Sequence, residues 1–294
     1  MRRGRGRRDF LRLAGGGLAA VALGGAGFTG VRFEANRAAA AASDAESFPR
    51  LGDIGTVRRL SILPLIDFYP SRDGLVGEPG LSYLVRADET TILLDVGFNA
   101  GREETSPLLR NAAALGIDLG RLDALVISHP HTDHIGGGMD KVAPTGGATP
   151  FDLRGIPAYL TAPLDCPTAQ PEIVTAPRAL ARGVATTGPL ISPDFFFGLT
   201  REQSLAVSIA GKGIVLIVGC GHPGIERILA RAEALFDEPI HAVVGGLHLP
   251  VTGSRMQAFG LPAQQIIGTG KWPGQPVDEA DVRAARDFTV GVYG

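Results

Sequence analysis

Cysteine is almost missing from this 294-residue chain: Cys166 and Cys220 are the whole supply. A disulfide framework is therefore excluded as the organising principle; one pair could form, but separate fates are expected. Aromatic residues are also scarce, at 6 % with a single tryptophan, against 41 glycines. That balance argues against a helical bundle and for a compact, loop-rich α/β protein. There is no strong excess of either charge, since the formal net charge is −2 with 20 % charged residues. Neither a nucleic-acid reader nor an acidic tail fits that balance. The small figure hides an asymmetry: residues 1–42 carry eight arginines against Asp9 and Glu34, leaving 20 basic and 28 acidic residues in the remainder. A balance of −8 there argues against a polyanionic partner. No internal repeat and no linker between two folded halves is visible.

The basic N-terminus has a form of its own. Arg7-Arg8-Asp9-Phe10-Leu11-Arg12 leads into a weakly hydrophobic, glycine-rich run to about Gly30 and an alanine-rich exit at Ala38 to Ala42. Paired arginines followed by Phe-Leu and such a core have the form of a twin-arginine export signal. Residues 1–42 are read as that signal and 43–294 as one domain, periplasmic or extracellular after passage through the twin-arginine export machinery. The glycines and the short core make a poor permanent span, and no cysteine stands near the exit, so no stable membrane anchor is expected. This pathway carries folded proteins, which suits an enzyme that acquires its metal in the cytoplasm.

Residues 43–56 are polar and without period, and read as a linker. The alternation in Arg58 to Asp67 predicts a strand, and Leu81 to Val85 with Thr91 to Asp95 predicts a hairpin. Leu108 to Leu115 has helical spacing, and Asp123 to Ile127 is an apolar run that reads as a buried strand. Residues 162–200, broken by six prolines, are expected to form a long loop acting as a lid. Within it Phe195-Phe196-Phe197 is expected to leave water, walling a pocket or covering a sheet edge. Ser204 to Ala210 and Gly213 to Val218 predict a second hairpin, followed by a helix from Ile225 to Phe236, a strand from Ile240 to Val244 and a helix from Asp278 to Arg286.

Histidine is scarce too, and its placement is informative. Three of the six lie in Ser128-His129-Pro130-His131-Thr132-Asp133-His134, directly after the buried strand and before Gly136-Gly137-Gly138. His129 and His131, two apart, can face one way off a strand end, while Asp133 and His134 reach a second point past the bend. Three imidazoles and a carboxylate within six residues are the ligand chemistry of a borderline divalent metal such as zinc. Two further predicted strands end in Gly219-Cys220-Gly221-His222 and Gly245-Gly246-Leu247-His248. Each delivers one more histidine at a strand's C-terminal end, where sheets of this class place ligands. Only His241, inside the last strand, looks structural.

The pattern His-x-His-x-Asp-His resembles the signature of the metallo-β-lactamase superfamily. With Gly80-Leu81-Ser82-Tyr83-Leu84, Leu93-Leu94-Asp95-Val96-Gly97 and the two later strand ends, residues 80–250 resemble the branch named for dihydropterin ribofuranosylaminobenzene phosphate synthase. The resemblance implies a four-layer αββα sandwich in which His129, His131 and His222 hold one metal and Asp133, His134 and His248 a second. Asp95 would support the metal histidines from behind, or simply form a turn. The chain departs from the superfamily in two respects. Residues 135–221 lack the histidine found there in most members, so His222 must supply it, and Gly219-Cys220 replaces a bridging Gly-Asp, which puts Cys220 forward as a shared ligand. The second concerns the end of the chain, where the family would place one more strand and helix after Arg286.

The expected activity is an exported metal-dependent hydrolase acting on a small-molecule ester, lactone, phosphoester or sulfoester. Two Zn²⁺ ions are expected, with one ion or iron as alternatives; they would bring a bound water from a pKa of about 16 toward about 7, with Asp133 steering the proton. No Ser/His/Asp arrangement competes for the role. The other readings are a pterin-type synthase using the metal as a Lewis acid, a mononuclear iron dioxygenase and a non-catalytic metal-binding module; His131 and the lack of extra length count against a flavin-linked diiron oxidoreductase.

Overall fold

The computed structural model describes residues 29–138, 152–251, 257–258, 261–272 and 274–293; the paired arginines of the leader lie outside them. A helix, α1, covers residues 29–44. The first sheet then runs in chain order through β1 (Leu60–Ile66), β2 (Ser82–Ala87), β3 (Thr90–Leu94), β4 (Ala124–Val126), β5 (Pro157–Leu160) and β6 (Gln170–Ile173). Its first three strands are antiparallel and the rest are parallel. The β2–β3 hairpin turns on Asp88-Glu89, with Asp88 at φ 52°, and its carboxylate caps the backbone N–H groups of Arg58 and Arg59. Between β3 and β4 lies α2 (Pro107–Ala114), whose Ser106 side chain accepts from Leu109 N at 3.3 Å with proline in the first turn.

The second sheet collects β7 (Arg178–Ala181), β8 (Val184–Thr186), β11 (Leu205–Ile209), β12 (Gly213–Val218) and β13 (Ile240–Gly245), ordered β13-β12-β11-β8-β7. The β12–β13 pair is parallel, joined through α3 (Ile225–Leu235), and α4 (Glu279–Tyr293) follows near the end. β9 (Leu190–Asp194) and β10 (Gly198–Glu202) form a hairpin outside both sheets. Among the described residues no helix is long and apolar enough to cross a membrane.

Period-two alternation explains the layering. In β2 to β4, Leu84, Leu93 and Leu125 pack with Leu108 and Ala112 of α2. Their neighbours Tyr83, Val85, Leu94 and Val126 meet Leu205, Val207, Val215 and Ile217 across the gap between the sheets. On the far face Ala206, Leu216 and Val218 pack with Ile228, Leu229 and Ala232 of α3 and Phe288 of α4. The result is the expected αββα sandwich. Both faces of the central strands are covered, which is why those strands read as unbroken apolar runs.

Three expectations need correction. Residues 162–200 are not one long loop, because they contain β6 to β9 and the start of β10. The prolines misled because they sit where a missing N–H is tolerated: Pro171 is in the exposed edge strand β6, and Pro193 is in the separate hairpin. The phenylalanine triplet also stays wetter than expected, with Phe196 45 % and Phe197 64 % exposed. Residues 43–56 are likewise no free linker, since Phe48, Leu51 and Ile54 pack on the α3 side of the core. Both cysteines are free thiols, Cys166 in the core beneath α2 and Cys220 at the end of β12.

Candidate metal centre

Four strands deliver the site: β3 and β4 are parallel neighbours in one sheet, β12 and β13 in the other. Their C-terminal ends carry Asp95, Ser128-His129, Cys220-Gly221-His222 and His248. Three groups of ligand atoms lie within 4.8 Å of one another: His129, His131 and His222; His129, His134 and Cys220; and Cys220, His222 and His248. The thiol therefore stands between the two ends of the cluster. Asp133 stands beside it, one carboxylate oxygen 3.8 Å from His134 Nε2. His241 is exposed on β13 and belongs to none of these groups.

Each imidazole is tied through one nitrogen to an oxygen, and within the cluster His129 Nε2 lies 3.2 Å from His222 Nε2 and His134 Nε2 3.0 Å from Cys220 Sγ. His134 Nδ1 donates to Asp95 Oδ2 at 2.7 Å. His129 Nδ1 meets Ser128 Oγ at 2.9 Å, and that hydroxyl donates to Asp95 Oδ2 at 2.6 Å. His131 Nε2 meets Thr200 Oγ1 at 3.0 Å. His222 Nδ1 donates to the Gly268 carbonyl and His248 Nε2 to the Ile267 carbonyl, both at 2.7 Å. Asp95 also accepts from Ser128 N at 2.6 Å and sits at φ 58°. It is at once the turn residue and the anchor of two histidines.

Burial keeps most of these rings neutral. It drives His129 well below the usual imidazole range, takes His131 down to about 3 and His248 to about 4, and lowers His222, with the neighbouring imidazoles adding to the effect at each. His134 goes the other way: burial opposes its charge, but Cys220, Asp95 and Asp133 outweigh burial and raise it. Burial pushes the Cys220 thiol up to about 11, against the pull of His134. Neutral imidazoles plus one thiol poised beside a basic histidine are the donor chemistry zinc takes.

Several contributors escaped the sequence reading. Glu202, 2 % exposed, accepts from the backbone N–H groups of Cys220, Gly221 and His222 at 2.8–2.9 Å and so shapes the turn that presents two ligands. Burial raises its pKa despite those donors. In sequence Glu202-Gln203-Ser204 looks like a turn. Ser128 was adjacent to the motif and legible as such, whereas Thr200 and the two carbonyls at 267 and 268 carry no local signal.

The centre opens into a cavity of about 620 Å³ walled by Phe68, Tyr83, Phe98, Phe197, Leu249 and Ile267 among others. Its described lining residues include Asp67 and Asp133 but no lysine or arginine. The Tyr83 hydroxyl donates to Asp67, and burial together with that carboxylate raises its pKa.

A family model described as the metallo-beta-lactamase superfamily matches residues 75–150, the span holding Asp95 and the histidine motif. Over that span the chain is similar to the metallo-β-lactamase superfamily. Among its curated relatives, 7,8-dihydropterin-6-methyl-4-(beta-D-ribofuranosyl)-aminobenzene-5'-phosphate synthase of Methanocaldococcus jannaschii is 23 % identical over 261 residues, spanning 75 % of this chain and 88 % of that one. A solved metal-dependent hydrolase of the superfamily is 26 % identical, covering 65 % of this chain and 77 % of that one at a TM-score of 0.48. A quorum-quenching N-acyl homoserine lactone lactonase is 19 % identical over 55 % and 73 % of the two chains, at 0.34.

Proposed function

We propose that this protein is a metal-dependent hydrolase of an uncharged small-molecule ester or lactone. One observation carries the reading: five histidines and a cysteine converge at the floor of an apolar cavity, each ring locked by an oxygen behind it. A donor set of neutral imidazoles and a thiol fits zinc, with His129, His131 and His222 holding one ion and His134, His248 and Cys220 offering donors, beside Asp133, for a second. Zinc held there supplies Lewis acidity, which brings the pKa of water from about 16 toward about 7. The chain's own residues do the rest. Asp95, Ser128, Thr200 and the carbonyls at 267 and 268 fix which nitrogen of each ring faces the centre. Asp133, its side chain 25 % exposed and facing the cavity, is placed to take a proton from water and return it to the leaving group.

The synthase reading is favoured by the relative from Methanocaldococcus jannaschii. That enzyme's name specifies a phosphate, and the described lining of this cavity offers no lysine or arginine to hold one, so hydrolysis of an uncharged substrate leads. The leader motif Arg7-Arg8-Asp9-Phe10-Leu11 supports a location outside the cytoplasm.

Elemental mass spectrometry on the purified full chain, beside Cys220→Ser, is the direct test, coupled to a panel of esters, lactones and phosphomonoesters. Two zinc ions with one lost in Cys220→Ser, and turnover of uncharged esters lowered about 10²–10⁴-fold by Asp133→Asn, are the expected results. A single iron would point to an oxygenase instead, and a chain that takes up no metal would end the catalytic reading.

A further inference from the structure

The export-signal reading removes residues 1–42, yet α1 is built into the molecule next to the metal centre. Phe33 is 1 % exposed. Its ring stands edge-on to Phe195 at 5.5 Å and to Trp272 at 5.1 Å, and those two rings are 5.6 Å apart. Around this trio Trp272 Nε1 donates to Glu34 at 3.1 Å, and Arg32 donates to the Phe196 carbonyl at 3.3 Å. At the other end of the helix Asp44 pairs with Arg227 of α3 at 2.5 Å.

The two segments that Phe33 joins are the ones that orient three of the five ligand histidines. Phe195 lies at the tip of the β9–β10 hairpin, where Asp194 Oδ1 accepts from Phe196 N and Phe197 N at 2.7 and 2.6 Å. Asp194 Oδ2 accepts from Gly268 N at 2.5 Å, tying the hairpin to the segment that ends in Trp272. That segment supplies the carbonyls of Ile267 and Gly268 to His248 and His222, and β10 supplies Thr200 to His131. Phe197, in the same tip, places its ring 5.9 Å from that of His131.

We propose that α1 is a retained strap of the working enzyme and that Phe33 is a positioning residue for the metal centre, clamping the β9–β10 hairpin onto the 263–272 segment. It follows that a cut at Ala38 to Ala42 would strip Phe33 and bare the Phe195 and Trp272 rings, so the export leader, where it is processed, is cut upstream of residue 29. The inference rests on the metal-centre reading and deepens it, since nothing in the ligand motif points to a residue about a hundred positions earlier.

The test uses the full chain with zinc as the probe. Zinc affinity is measured by competition with a chromophoric chelator in the wild type, Phe33→Ala, Phe33→Leu and Leu108→Ala. Leu108, on α2 and packed against the first sheet, serves as a destabilised control. Phe33→Ala is expected to weaken zinc binding about 10–100-fold, the range seen when groups behind metal ligands are lost. Phe33→Leu should restore most of it, and Leu108→Ala should lower the melting temperature without moving zinc affinity. Unchanged zinc affinity in Phe33→Ala, whatever its melting temperature, overturns the positioning role. A wild-type chain that binds no zinc overturns the metal-centre reading and the inference with it. Intact mass of the protein recovered after twin-arginine export gives the second arm: an N-terminus at or before residue 29 supports the strap, and a zinc-loaded form beginning between residues 38 and 43 overturns it.

Discussion

Asp95 shows how one side chain can serve both geometry and chemistry. Its left-handed backbone ends β3, and its carboxylate accepts from Ser128 N, Ser128 Oγ and His134 Nδ1. An amide would have to turn an NH₂ toward one of those donors, so Asp95→Asn should weaken zinc binding about 10–100-fold, measured by chelator competition. Cys220 makes a prediction about protons. Its thiol, pushed up to about 11, is protonated at neutral pH before metal arrives, and Cys220, Asp95 and Asp133 raise His134 well above the usual imidazole range against the effect of burial. Both must shed their protons to ligate, so zinc uptake at pH 7 should release about one to two protons and tighten as pH rises. Calorimetry in buffers of different ionisation enthalpy reads that number, and Cys220→Ser should lower it by about one. His131 and His248, already at about 3 and 4, should add nothing to the pH dependence above pH 5. At this scale the clustering was legible: the five histidines and Cys220 that the structure brings together follow from strand-end placement. Glu202 and Thr200 were not, because a carboxylate or hydroxyl that acts across two strands looks, in one dimension, like any polar residue.

The segment from Ala263 to Trp272 is the element with most leverage on the site. Gly268 sits at φ 73°, and a β-carbon there would fall 2.6 Å from His222 Cε1 and 2.9 Å from its Nδ1. Gly268→Ala should therefore displace the His222 ring and lower zinc occupancy while leaving far-UV circular dichroism unchanged. A fully zinc-loaded variant would show that the segment yields easily. By contrast α2 is a conventional capped helix remote from the ligands, and Ser106→Ala should cost about 1 kcal/mol, a fall of about 2–4 °C in melting temperature, with no change in zinc affinity. The strands of residues 170–202 were missed for a reason visible in their composition. They are short, all but β8 lie at edges or outside the main sheets, and β6 and β9 carry proline where the ladder is not needed, so neither alternation nor propensity marks them.

At the scale of the whole molecule the centre joins the two sheets. Its donors come from loops after β4 in one layer and after β12 and β13 in the other, so bound metal would cross-link halves that also meet through packed side chains and through Gln203, which donates to the Ile127 and Tyr159 carbonyls. Removing metal with a chelator should lower the melting temperature, and zinc should restore it; ligand at 1,000 times its Kd is worth about 4 kcal/mol. Equal melting curves with and without chelator would show that packing alone holds the halves.

The central strands were readable from the chain because β3, β4 and β12 are short apolar runs, a local pattern, whereas the four-layer sandwich was expected from the resemblance that the histidine motif carries. The histidine cluster was readable because histidine is rare here and falls at strand exits. Only the tertiary structure decided what surrounds those ligands. The pairing of Asp194 with Gly268, the carbonyls behind His222 and His248, and the Phe33 ring between Phe195 and Trp272 all join residues far apart in the chain. Such contacts depend on where the sheets bring loops together, and no spacing rule along one strand encodes that.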